Sequence, residues 1–212
     1  MLINEVKDLC EQLSSKDGVG GYLPADEYSN YATLAQLRII NTLHERLDFN
    51  LNVITLLSDV SKTKLVQVND QRFSRPSDYY KPIACEASFS DGQSDMEYIG
   101  LSERRNRINS DIVEPTLSYP TFTEDSTGFI ADPAGISRVR FSYIFQPEDP
   151  VWAEVPDSVP PTFDPNNSTD FALSDKFTDI LVNTIAGMFG IEIRDVNLQQ
   201  ATVQNLVQSL GQ

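Results

Sequence analysis

The acidic side chains and one histidine are the residues of this sequence best suited to acid–base chemistry. The chain carries 31 Asp and Glu residues and a single histidine, His44. Two carboxyl groups held at a fixed separation are the catalytic pair of most glycan hydrolases. No spacing in the sequence selects such a pair. His44 directly follows the apolar helical position Leu43, which favours a polar helix flank over a base or a metal ligand.

The acidic residues are densest between Phe145 and Asp179, where eight of them accompany one basic residue, Lys176. Within this stretch, the series that begins at Asp164 has oxygen-bearing side chains at the first, third, fifth and twelfth positions of a calcium loop. The sixth position, which needs glycine, is Thr169, so turn formation and helix capping explain these residues better. The sequence has no Gly-rich phosphate loop, G-x-S-x-G or H-E-x-x-H motif. We therefore expect no catalytic, cofactor-binding or metal-ligating residues.

One basic cluster, within Ser102–Arg107, is suited to binding the carboxylates of a partner protein. Its residues Arg104, Arg105 and Arg107 carry guanidinium groups, which bind a carboxylate through two parallel hydrogen bonds. A solvated helix face is the alternative interpretation. With 16 Lys and Arg against 31 Asp and Glu, the formal net charge is −15. This balance argues against sequence-specific nucleic-acid binding and against an anionic membrane surface as the partner.

The 212 residues are enough for one substantial domain with an inserted lobe. No apolar run approaches 18 residues, and the first residues show no secretory signal, so we expect no membrane contact. Two cysteines, Cys10 and Cys85, lie 75 residues apart and form neither a metal spacing nor a disulfide framework. This usage favours a reduced compartment.

Apolar residues recur at helical spacing near both ends of the chain. One stripe runs through residues 2–13, and a second runs through residues 24–47 after a Gly-rich link. A third runs through residues 174–189, where Gly190 is suited to end the helix. A final helix is expected to begin near Asp195.

Alternation of apolar and polar residues in the middle of the chain predicts strands. The clearest run is Ile136–Phe145. One of its faces is formed by Val139, Phe141, Tyr143 and Phe145, and the other by Ile136, Arg138, Arg140, Ser142 and Ile144. The sequence Pro-Ser-Asp at residues 76–78 predicts a turn. Shorter strands are predicted at residues 64–68, 83–89, 96–99, 117–123 and 128–131.

Residues 146–173 contain six prolines. Proline at this density removes the donors of a strand ladder and prevents a helix interior. A long segment of this kind is typical of a functional loop, or of an arm that extends over a neighbouring subunit. Trp152, the only tryptophan, is a natural anchor for such an arm. The residues of this segment that we expect to contact a neighbouring subunit or partner are Pro147, Pro150, Trp152, Phe163 and Phe171.

Together these elements predict an α+β fold, in which a helical bundle formed by the N- and C-terminal helices carries an inserted antiparallel β lobe and a Pro-rich extended arm. Helices and strands are segregated along the chain and do not alternate, which argues against a parallel α/β sheet. The predicted domains are a helical bundle of residues 1–50 and 174–212, an inserted mainly β lobe of residues 51–145, and an extended arm of residues 146–173.

Three stretches of the sequence resemble a known family of virion proteins. They are Ser74–Pro82, Ile136–Trp152 and Asn167–Leu173, the last followed by an apolar helix and by Gly190–Asp195. In this order they resemble the head–tail connector proteins of crAss-like tailed bacteriophages of Bacteroidetes hosts, which form neck or adaptor rings between portal and tail. The resemblance covers most of residues 25–200 and includes no catalytic motif.

The resemblance implies that the chain is a ring-forming neck subunit and not an enzyme, linking the portal to the tail around the DNA exit channel. It implies a ring of about twelve copies, contact with portal, tail-ring or tail-hub proteins, and a place in the virion neck after synthesis in the bacterial host cytoplasm. An acidic lumen would repel DNA phosphates. Two alternatives stay open: a virion-associated carboxylate glycan hydrolase, and a monomeric assembly chaperone or binding module.

Overall fold

The structure is a computed structural model that describes residues 1–16, 23–47, 52–90 and 92–189. The chain divides into two compact units: a helical unit of residues 1–60 and 147–212, and a sheet unit of residues 61–146. None of the described helices is long and apolar enough to cross a bilayer. In chain order the elements are α1 (Ile3–Lys16), α2 (Ala25–His44), α3 (Asn52–Leu56), β1 (Ser61–Gln67), β2 (Arg72–Phe73), β3 (Tyr79–Phe89), β4 (Gly92–Tyr98), α4 (Leu101–Ile108), β5 (Thr121–Glu124), β6 (Phe129–Asp132), β7 (Arg138–Phe145) and α5 (Thr178–Met188).

The helical unit is held together by α5, which packs on both α1 and α2. The predicted apolar stripe of α2 is buried at helical spacing. The Tyr28 hydroxyl on this face donates a hydrogen bond to the carbonyl oxygen of Ile3 in α1 (3.0 Å). The rings of Tyr31 and Phe189 meet edge to face with their centroids 4.6 Å apart. The final helix predicted from Asp195 lies outside the described residues.

The sheet unit is built on seven strands in the order β1-β7-β3-β4-β5-β6-β2. Neighbouring strands are antiparallel except β4 and β5, which run parallel through two residue pairs. Strands β1 and β2 lie at opposite ends of this order, yet only residues 68–71 join them. So short a link requires the two edges to approach, and the sheet is nearly closed. Val68 N donates to Ser137 O (3.0 Å) and Ala131 N donates to Gln71 O (2.7 Å), which fixes the link against β6 and the start of β7.

The core of the sheet unit is aromatic. Strand β7 buries Val139, Phe141 and Tyr143 and exposes Arg138 and Arg140, as its alternation predicts. Aromatic side chains contribute the largest buried areas to a core. The centroid of the Phe141 ring lies within 6.2 Å of the centroids of five other rings: Phe73, Tyr79, Phe122, Phe129 and Tyr143.

Asp78 links three strands at one end of this sheet. Its carboxylate accepts hydrogen bonds from Lys62 Nζ (2.7 Å) and Lys64 Nζ (3.3 Å) of β1 and from the Tyr143 hydroxyl (2.8 Å) of β7. The hydrogen bonds from Lys62 and then Tyr143 hold the pKa of Asp78 well below its usual range. Lys62 and Lys64 also lie on β1, an edge strand, where lysine opposes pairing with a strand of another chain.

The predicted fold class, a bundle of N- and C-terminal helices with a small inserted β lobe and an extended arm, is wrong. The protein is a mixed α/β structure with a nearly closed seven-stranded sheet and, in the described residues, five α-helices. The sheet is large because β1 pairs with β7, Ser61 opposite Ile144, a pairing that local sequence patterns do not encode. Residues 52–60 form α3 and a 3₁₀ turn of the helical unit. The Pro-rich segment folds back on itself and docks its base on the helices.

Candidate interaction surface

Exposed apolar side chains are concentrated on one segment of the sheet unit, between the end of β4 and the start of β5. Fifteen large apolar side chains are exposed in the described residues, and seven of them fall within this segment. Ile112 is 93% exposed and Tyr119 is 80% exposed. Single exposed apolar residues are ordinary, but several on one short segment favour a surface for another molecule. We call this set the apolar patch; its members are Tyr98, Leu101, Ile108, Ile112, Val113, Leu117 and Tyr119.

Helix α4 supports the patch and is fixed to the sheet by Arg104. The guanidinium of Arg104 donates two hydrogen bonds to the carboxylate of Asp132 on β6, from Nε to Oδ2 (2.6 Å) and from Nη2 to Oδ1 (3.1 Å). Asp132 is buried, and Gln71 Nε2 donates a further bond to its Oδ1 (3.1 Å). Two-point binding of a buried carboxylate sets the orientation of the helix as well as its position.

Arg107 makes the second attachment of α4, this time to β4. Its Nη2 donates to Glu97 Oε1 (2.9 Å), and its Nε donates to Glu103 Oε1 (3.0 Å) one helical turn earlier. The hydrogen bond from Arg107 lowers the pKa of Glu97, and the bonds to Glu97 and Glu103 raise the pKa of Arg107. Although Arg104 and Arg107 bind the sheet, none of the residues of α4 is buried, and the side chains of Leu101 and Ile108 are exposed to solvent.

Arg105 differs from these two neighbours on the same helix. Its side chain is exposed. Its guanidinium forms no ion pair with the residues that the structure describes. A cation that its own unit does not use can bind a carboxylate of another molecule.

The loop of residues 109–120 is locally ordered although its apolar side chains point to solvent. The hydroxyl of Ser110 accepts hydrogen bonds from Ile112 N (3.3 Å) and Val113 N (3.4 Å). Thr116 and Tyr119 exchange backbone bonds of 3.0 and 3.3 Å, and Ser94 Oγ donates to Ser118 O (3.1 Å). Such internal bonds reduce the entropy that would be lost when the loop binds a partner.

In the helical unit, the base of the Pro-rich segment is docked on the helices through Trp152. The indole is 6% exposed, and its Nε1 donates to Asn4 Oδ1 (3.0 Å). Lys7 Nζ lies 4.2 Å from the indole centroid and is also paired with Glu11. The Trp152 backbone N–H donates to Ser29 Oγ of α2 (3.0 Å). The base of this segment is therefore part of the helical unit.

Beyond Trp152 the segment forms a hairpin with an exposed tip. Glu154 pairs with Phe163, and Val155 N donates to Thr162 O (2.8 Å). Ser158 Oγ closes the turn, since it donates to Val155 O (2.8 Å) and accepts from Thr162 N (3.0 Å). Val159 is 95% exposed. We call residues 155–162 the hairpin tip; its exposed side chains are Val155, Pro156, Asp157, Val159, Pro160, Pro161 and Thr162.

The structure separates the residues expected to contact a partner into different settings. Pro147, Pro150, Trp152 and Phe171 are buried, and the half-buried ring of Phe163 lies 5.8 Å from the indole of Trp152. Arg104 and Arg107 hold α4 within the sheet unit, whereas Arg105 faces solvent. Whether any of these residues meets a partner stays a prediction.

Sequence comparison adds no functional assignment. No protein-family model matches this chain, and no curated protein matches it either. The most exposed patch residues, Ile112 and Tyr119, were not among the residues predicted to contact a partner. In a sequence, an apolar residue in a segment between two strands is indistinguishable from a core residue, so only the side-chain exposures reveal the patch.

The acidic residues near Asp164 are engaged in local turn bonds. The Asp164 carboxylate accepts from Asn167 Nδ2 (2.7 Å) and from Asn166 N (2.9 Å). The bond from Asn167, followed by that from the Asn166 backbone, lowers the pKa of Asp164. Within the described ranges, no group of three or more His, Cys, Asp or Glu side chains is placed to hold a metal ion.

Proposed function

We propose that this chain is a virion structural protein, a ring-forming subunit of the head–tail connector that links the portal to the tail around the DNA exit channel. The observation that carries the proposal is the apolar patch, seven exposed side chains on a segment that the Arg104–Asp132 pair fixes to the sheet. A rigid, exposed apolar surface suits permanent contact with another protein subunit. A subunit that offers different surfaces to its two neighbours closes a ring by rotation.

The distribution of charge also supports this proposal. The helical unit carries 19 acidic residues against 6 basic ones, while the sheet unit carries 12 against 10. A wall with an excess of carboxylates repels phosphate, so DNA passing along it would not adhere. The apolar patch lies in the nearly balanced unit, where association is opposed least by like charge.

The test is the mass of the purified chain by mass photometry, alone and mixed with the assembled portal of the same genome. A ring subunit is expected to form closed oligomers, or to add about a dozen copies to the portal. A chain that remains a monomer in both samples would overturn the proposal. Protein analysis of purified virions separates it from the assembly chaperone, because a chaperone would be absent from the particle.

Variants of the patch connect the mass measurement to this surface. Ile112→Ser combined with Tyr119→Ser is expected to leave a folded monomer and to abolish association, because the two most exposed apolar side chains of the patch are lost. The matched control is Leu65→Thr, which removes an exposed apolar side chain of the same unit outside the patch. Association that survives the double variant would show that other surfaces hold the ring.

A further inference from the structure

The hairpin tip and the apolar patch are two exposed surfaces in different units of one chain. The tip carries Val159 and two consecutive prolines, Pro160 and Pro161, at a turn that Ser158 closes. Proline has few conformations to lose, so a tip of this composition binds at low entropic cost. The patch presents Ile112, Val113 and Tyr119 on an ordered loop.

The charges beside the two surfaces are opposite. Asp157 is exposed at the apex of the tip, and the structure gives its side chain no hydrogen bond or ion pair with a described residue. Arg105 is exposed on the helix that supports the patch, and its guanidinium has no hydrogen bond or ion pair with a described residue. An aspartate and an arginine brought together at the rim of an apolar contact favour one orientation of docking and penalise the others.

We propose that the hairpin tip of one copy of this chain docks on the apolar patch of a second copy, with Asp157 facing Arg105. This inference rests on the proposed ring function and names the surfaces that would make the ring. The contact is head to tail, because it joins two different surfaces. An incomplete ring leaves one tip and one patch unoccupied, and these meet when the ring closes.

A cysteine cross-link tests the contact directly. Val159→Cys and Ile112→Cys are made in separate chains, which are mixed under assembly conditions and oxidised. The native thiols give little background, since burial raises the pKa of both Cys10 and Cys85 to about 12. A disulfide-linked heterodimer is expected from the mixture. The control mixture pairs Val159→Cys with Leu65→Cys, whose position is 62% exposed but lies outside the patch, and it should give no more heterodimer than random collision.

A charge exchange tests the orientation. Arg105→Asp and Asp157→Arg are each expected to raise the concentration needed for association by about tenfold. The double variant, which exchanges the two charges, is expected to recover most of the loss. If the single and double variants weaken association equally, Asp157 and Arg105 do not face each other in the contact.

The outcomes separate this inference from the function it rests on. If the wild-type chain assembles but no heterodimer forms, or if Ile112→Cys cross-links only to itself, the head-to-tail docking is wrong and the ring proposal stands. If the wild-type chain stays monomeric with and without the portal, both are wrong.

Discussion

The helical unit and the sheet unit divide two properties between them. The helical unit holds most of the excess negative charge, with 19 acidic against 6 basic residues. The sheet unit is close to neutral and holds eight of the fifteen large apolar side chains that are exposed in the described residues, seven of them between Tyr98 and Tyr119. The other seven are spread over the helical unit. The proposed function would assign the repulsion of DNA to the helical unit and the attachment to protein subunits chiefly to the sheet unit.

This division has a physical reason. An apolar contact in a field of carboxylates would require their desolvation and would hold like charges close together, both of which weaken association. Placing the patch on the balanced unit avoids these costs. The hairpin tip is one of the exposed apolar elements of the acidic unit, and if it docks as proposed, its exposed Asp157 would favour a basic partner surface.

The largest expected effect comes from breaking the core of one unit alone. Phe141→Ala should destabilise the sheet unit by about 3–5 kcal/mol, because the ring lies at the centre of the aromatic cluster. Each unit contains one buried cysteine, Cys10 in the helical unit and Cys85 in the sheet unit, so pulsed alkylation during denaturation reports on each separately. Cys85 is expected to become reactive at a lower denaturant concentration than Cys10.

The control for this experiment is Leu65→Ala, which changes an exposed side chain and should shift stability by less than about 0.5 kcal/mol. If Phe141→Ala exposes both cysteines at the same denaturant concentration, the two units unfold together and do not differ in stability.

A smaller effect is expected from the arginines of α4. Arg104→Ala leaves the buried carboxylate of Asp132 without its cation and should cost about 2 kcal/mol, less than a fully buried pair because Arg104 is partly exposed. Arg105→Ala on the same helix should change stability by less than about 0.5 kcal/mol. Thermal unfolding of both variants measures the difference. Adding Asp132→Asn to Arg104→Ala should recover part of the loss, and a loss that is unchanged would mean that the buried charge is not its cause.

The smallest effect is a pH dependence of the sheet unit. Hydrogen bonds lower the pKa of Asp78, chiefly through Lys62, and that of Asp125, chiefly through the Thr127 hydroxyl. A carboxyl group with a lowered folded-state pKa stabilises the fold above its ordinary pKa of about 4 and loses that contribution as the pH falls towards the folded value. The denaturant concentration at which the sheet unit unfolds, followed by circular dichroism, should therefore decrease once the pH is below about 4. Asp78→Asn should lower the denaturation midpoint of the sheet unit at pH 7 and should make the additional decrease below about pH 4 smaller. If the decrease below about pH 4 is the same as in the wild-type chain, Asp78 does not contribute to it.

Local patterns predicted the elements better than their arrangement. The alternation along residues 136–145 identified β7 and its buried face, and helical spacing identified α1 and α2, because these signals lie within one element. Pro76–Asp78 forms the predicted turn, with Tyr79 N donating to Pro76 O (3.1 Å). The near closure of the sheet depends on pairing residues about 80 positions apart, and no local pattern contains that information.

The same limit explains what was missed at the candidate surface. The prolines identified residues 146–173 as unusual, but the sequence did not reveal that Trp152 docks the base on α1 and α2 or that residues 155–162 form an exposed hairpin tip. The sequence does not distinguish the guanidinium groups of Arg104, Arg105 and Arg107. The structure does, because Arg104 pairs with Asp132 of β6 and Arg107 pairs with Glu97 of β4, whereas Arg105 pairs with no described residue.

The long separation between β1 and its partner has a consequence for synthesis. Ser61 leaves the ribosome 83 residues before Ile144, the residue opposite it in the sheet. At a translation rate of about 5–20 residues per second, β1 is synthesised roughly 4–16 seconds before its partner strand β7. During that interval a nascent strand beside many identical chains on neighbouring ribosomes is open to mispairing. Lys62 and Lys64 form ion pairs with Asp78 in the folded protein. Before β7 has been synthesised, their positive charges oppose pairing of β1 with the same strand of another nascent chain.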